Sequence, residues 1–97
     1  MKHLTKDNVE DIIRAAEAKE LDNVVGVMVR IPIGALAELK ALLWLGKDMD
    51  SPKHWEALVI EARAKLDGET ARFLADDPTL ARSLRKGLDA LEAAGRL

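Results

Sequence analysis

A mainly α fold, a compact bundle of four or five helices, follows from three features of this 97-residue sequence. Apolar residues return at intervals of three and four through most of its length, the spacing that lines one face of a helix. Ser51-Pro52 and Asp77-Pro78 each set a capping side chain before a proline, the arrangement that opens a helix. The run from Ala37 to Gly46 is so densely apolar that a helix built from it must be covered on nearly every side, which places it at the centre. One segment, residues 24–31, departs from this pattern and reads as a short extended piece. The length allows one domain, residues 1–97, with a modest core and no room for a second.

The first helix is expected to begin at Asp7, whose carboxylate can cap free amides while Glu10 reaches back to complete a capping box. Val9, Ile12, Ile13 and Ala16 then make its apolar stripe. Val24-Val25-Gly26-Val27-Met28-Val29-Arg30-Ile31 is rich in β-branched residues, and Pro32 restricts Ile31 to extended geometry. A lone strand leaves its backbone donors and acceptors unpaired, so an extended reading calls for a partner, most simply the same segment of a second chain. A short helical turn is the other reading.

The central helix spans about residues 34–45, with Leu36, Leu39, Leu42 and Leu43 on one half and Ala37, Ala41 and Trp44 on the other. Glu38 and Lys40 interrupt this girdle, and Glu38 is expected to stay wet. Gly46 is expected to close the helix in a left-handed conformation. The next helix, from Ser51-Pro52 to about Leu66, buries Trp55, Leu58, Val59, Ala62 and Leu66 and turns Ile60 outward. After Gly68, residues 69–75 form a short helix expected to point Phe73 and Leu74 inward. The last helix follows Asp77-Pro78 with Leu80, Leu84, Leu88 and Leu91 in one stripe, and Gly87 and Ala94 are small enough to admit a close neighbour.

Apolar residues at 48% and charged residues at 33% describe a globular chain, and two Trp with one Phe mean that aliphatic side chains fill its core. A formal charge of −2 and a pI near 5.7 give no general attraction to phosphates or anionic lipid. Acid-first pairs four apart, Glu10 with Arg14, Glu61 with Lys65 and Glu92 with Arg96, suit solvated helix faces. The chain has no cysteine, no apolar signal region and no run long enough to span a bilayer, so a cytoplasmic protein off the membrane is expected.

The run Ala37-Glu38-Leu39-Lys40-Ala41-Leu42-Leu43-Trp44-Leu45-Gly46, followed by Trp55-Glu56-Ala57-Leu58, Thr70-Ala71-Arg72-Phe73-Leu74, Asp77-Pro78 and Leu84-Arg85-Lys86-Gly87-Leu88, resembles the bacterial family catalogued as domain of unknown function 3775. The resemblance covers about residues 33–91. It implies a small, mainly helical bacterial protein and carries no activity, cofactor or catalytic residue. The chain departs from the family's pattern at Val24 to Ile31 and at the basic pair Arg85 and Lys86.

Asp48, Asp50 and His54 make the only local group that resembles a metal or acid–base site, and they fit an ordinary polar connection better. Ser51 and Ser83 have no base at a recognisable spacing, and no glycine-rich loop follows a strand. No catalytic, cofactor or metal residue is therefore assigned. For nucleic acid, Arg82, Arg85 and Lys86 give the last helix a basic segment, but Asp89 sits among them and no aromatic side chain interleaves as a stacking platform.

The apolar surplus points instead to association. The residues expected at an interface are Val25, Val27, Val29, Ile31, Trp44 and Ile60, since the central helix and the valine stretch carry more apolar surface than one small domain covers. The expected function is a non-enzymatic protein-interaction or regulatory module acting as a homodimer. A nucleic-acid-binding regulator using Arg82, Arg85 and Lys86 is the alternative.

Overall fold

The computed structural model describes residues 1–96. It places six α-helices in chain order: α1 (Lys6–Glu17), α2 (Leu21–Arg30), α3 (Ile33–Gly46), α4 (Trp55–Ala64), α5 (Thr70–Ala75) and α6 (Leu80–Ala93). A single 3-10 turn, Pro52–His54, leads into α4, and no strand occurs among the described residues. The mainly α bundle is as expected, with α2 raising the helix number to six.

The centre is α3. Ala35, Ala37, Leu39, Ala41, Leu42, Leu43, Leu45 and Gly46 are all buried, and α6 and α4 pack along it while α1 packs on α6. Two glycines make this close packing possible. A Cβ on Gly46 would fall 1.7 Å from the backbone oxygen of Ser83 in α6, and one on Gly87 would fall 2.4 Å from the backbone oxygen of Leu42 in α3. The two backbones therefore touch at two points with nothing between them.

Gly46 thus has a different role from the one expected. The helix runs through it, and the left-handed residue is Asp48, at φ 60°. The amides of Asp48 and Met49 then return to the carbonyls of Leu45 and Trp44, both at 3.1 Å, which satisfies the helix end. Lys19 does the same for α1 at φ 59° and Gly95 for α6 at φ 70°. Ala94 is exposed and admits no neighbour.

Residues 24–30 are helical, so the extended reading of 24–31 is corrected: only Ile31, before Pro32, keeps extended geometry at φ −78°, ψ 152°. The reason is periodicity prevailing over β-propensity. Val24 and Met28 lie four apart and bury completely, against α1 and α5, while a helix pairs its own amides without a second strand. Gly26 and the β-branched residues weaken the helix but do not redirect it.

Three smaller expectations also change. Thr5, not Asp7, caps α1, with Asn8 returning the bond in Glu10's place; both contacts are 3.1 Å. Phe73 is 78% exposed, because α5 turns Thr70, Ala71, Leu74 and Ala75 inward and leaves the residue before Leu74 on the outside. Of the expected acid-first pairs, Glu61 with Lys65 forms at 3.2 Å, whereas Arg14 turns to Asp11 and Arg96 donates to the Lys53 carbonyl.

Candidate interaction site

The six expected interface residues fall on three elements. Val25 and Val27 on α2 and Ile31 just after it are half-buried, Val29 is 65% exposed, and Ile60 on α4 is 71% exposed. Trp44 on α3 is half-buried beneath its own chain: the ammonium groups of Lys40 and Lys65 stand 5.6 and 5.5 Å from its ring centroid, near enough for cation–π attraction. Lys40 is fixed there by donating to the Lys65 carbonyl at 3.1 Å.

Sequence periodicity missed Leu21 and Ile33, both exposed. Once residues 21–30 are helical, Leu21, Val25 and Val29 follow one another at four-residue spacing, an apolar row beside the buried one. Ile33 follows after the Pro32 corner. On the outer side of α2, Leu21 and Val29 are thus exposed with half-buried Val25 between them.

A second feature involves no residue of α2. A groove of about 610 Å³ runs beside Lys2, Trp55, Val59, Ile60 and Arg96, with the Glu38 carboxylate at its inner wall. Glu38 was expected to stay wet; it is 2% exposed. Its oxygens accept the backbone N–H groups of Lys2 at 2.6 Å, His3 at 2.9 Å and Leu4 at 2.7 Å. Three amides with no helix of their own replace the water that a buried carboxylate would otherwise lack. Glu38 therefore fastens the first residues of the chain to the middle of α3, and Leu4 buries beside it.

The polar group of the α3–α4 connection divides rather than converges. The Asp50 carboxylate meets His54 Nδ1 at 2.8 Å, and that bond, with the Ser51 amide, lowers its pKa from the ordinary value. Asp48 instead pairs with Lys86 at 2.5 Å. No group of three or more His, Cys, Asp or Glu side chains gathers at metal-binding spacing among the described residues.

Arg82, Arg85 and Lys86 project from α6 beside the end of α1, with Glu17 and Asp89 in the same depression. Arg85 pairs with Glu17 at 3.2 Å and Lys86 with Asp48. Acids from two other elements thus offset the basic segment. At the start of α6, burial raises the Asp77 pKa, but the Lys47 ammonium at 2.6 Å and the hydroxyl and amide of Thr79 at 2.7 and 2.8 Å outweigh it and hold that carboxyl below its ordinary range.

No helix among the described residues is long and apolar enough to cross a membrane. A family profile described as a protein of unknown function (DUF3775) matches residues 18–93, so that α2 lies within the matched region, upstream of the resemblance read from the tryptophan motifs. No curated protein and no solved structure matches the chain.

Proposed function

We propose that this chain, which belongs to the DUF3775 family of proteins of unknown function, acts as a non-enzymatic protein-interaction module and works as a homodimer. The observation that carries this reading is the outer side of α2. Leu21 and Val29 stand exposed on it, with half-buried Val25 between them, although the same fold buries most of its leucines. Exposed apolar side chains on α2, with Ile33 just beyond it, support association.

The nucleic-acid alternative has less support, since Arg85 and Lys86 already hold acidic partners and no aromatic side chain stands between the bases. A non-enzymatic role agrees with the separation of Asp48 from Asp50 and His54. Light scattering across micromolar concentrations tests the proposal. The expected mass is twice the 10.7 kDa of one chain, and a constant single-chain mass would overturn the homodimer. Recovery of a stoichiometric metal or small molecule with the purified protein would overturn the non-enzymatic part.

A further inference from the structure

We infer that two copies of the chain pair antiparallel through the outward side of α4 and cross at Ile60. This rests on the homodimer reading and adds the surface and its register. Exposed Leu21 and Val29 on α2 take no part in the pairing and stay open to the partner protein of an interaction module.

Exposure is the first argument. α4 packs along α3 and turns Trp55, Leu58 and Ala62 inward, so its opposite side faces out. Ile60 lies at the middle of that side and is 71% exposed. At about 100° per residue, Ala57 and Ala64 fall within about 60° of it on one flank, and Glu56 and Arg63 within about 60° on the other. All four are exposed. The side chains around Ile60 thus belong to one face, low enough on the alanine flank for a second helix to come close.

Charge supplies the second argument and selects the partner. Glu56 stands four residues before Ile60 and Arg63 three residues after it. A two-fold axis across the helix at Ile60 reverses height and keeps the flank. Glu56 of each copy therefore comes level with Arg63 of the other, within one residue's rise of about 1.5 Å. On the opposite flank Ala57 of each copy meets Ala64 of the other, and the two Ile60 side chains meet at the centre. Parallel pairing would set both charges against alanines. Neither Glu56 nor Arg63 holds an ion-pair partner in its own chain among the described residues, while neighbouring Glu61 is taken by Lys65 at 3.2 Å. One pair of short helices buries less than the roughly 1,200 Å² of a tight complex, so the two copies are expected to be in micromolar equilibrium.

Charge exchange tests the arrangement. Glu56→Arg and Arg63→Glu are prepared singly and together in the full chain, and dissociation constants are measured by sedimentation at low salt. Each single variant is expected to dimerise about tenfold more weakly than the parent and the doubly exchanged variant to recover. An equimolar mixture of the two singles restores both ion pairs and is expected to form a heterodimer. Ile60→Asp is expected to abolish pairing with little change in the thermal unfolding of the dilute monomer, because that side chain is not part of the core. Because the chain has no cysteine, Ile60→Cys is expected to cross-link to itself on mild oxidation, and Val29→Cys on α2 is not. A dimer indifferent to these substitutions, or one cross-linked through Val29→Cys instead, would overturn the α4 crossing and leave the homodimer standing. A parent chain that stays monomeric at every concentration would overturn both.

Discussion

Gly46 and Glu38, about two turns apart on α3, carry roles that depend on neighbours distant in sequence. At Gly46 any side chain meets the Ser83 backbone, which cannot rotate away as a side chain can. Gly46→Ala is expected to cost at least about 3 kcal/mol in urea unfolding. Gly68→Ala, at a position with open space around it, is expected to be neutral or slightly stabilising. Glu38→Ala strips the amides of Lys2, His3 and Leu4 of their acceptor and is expected to cost about 2–3 kcal/mol, with Glu38→Gln recovering part of it. Neither role was legible in the chain. The sequence marks Gly46 as a helix end because local rules associate glycine with left-handed caps, and it marks Glu38 as polar without saying that the N-terminal amides come to it. Gly87 was legible, since a glycine inside a leucine stripe has few uses other than close approach.

Among the elements, those with strong periodicity were the most legible: α3 and α6 bury the rows that their spacing requires, and α4 buries Trp55, Leu58 and Ala62 but ends at Ala64 and leaves Val59 and Leu66 half-buried. For α2 and α5 the signal was ambiguous in physical terms. β-Branched residues suit a strand locally, and only the tertiary cover given to Val24 and Met28 by α1 and α5 decides for the helix. In α5 six residues are too few to establish a face, and Phe73 falls outside the arc that Thr70, Ala71, Leu74 and Ala75 turn inward. The beginning of α6 has a measurable pH dependence. The Asp77 carboxyl is held below the 3.8 of its unfolded form, so its contribution is fully present above that pH and is lost as pH falls through the lowered value. Asp77→Ala is expected to cost about 1–2 kcal/mol at neutral pH, and the gap from the parent in chemical denaturation should close as the solution is acidified below pH 3.8.

At the scale of the molecule, the radius of gyration is 11.9 Å, close to the roughly 12.5 Å typical of a folded chain this long. The fold closes on itself, and the apolar surplus inferred from composition is largely spent inside α3. What remains outside is scattered more widely than the valine stretch: Leu21 and Val29 on α2, Ile33, Met49, Ile60 and Phe73. The expectation that Trp44 lies open to a partner finds that ring beneath two lysines of its own chain. If two copies unfold together, the midpoint of thermal unfolding should rise by about 3 °C for each tenfold increase in protein concentration. Calorimetry at three concentrations checks this, and a midpoint independent of concentration would speak for a chain that unfolds alone.

The paired contacts at Gly46 and Gly87 also limit how the molecule can move. Peptide planes in direct apposition act as two pins, and two pins forbid both sliding and rolling of α3 on α6. The two pins leave α2 outside the α3–α6 axle, resting on α1 and α5. A partner that grips α2 therefore takes hold of an element outside that axle, and its grasp reaches the rigid half through α1 and through the Ile31-Pro32 corner that joins α2 to α3.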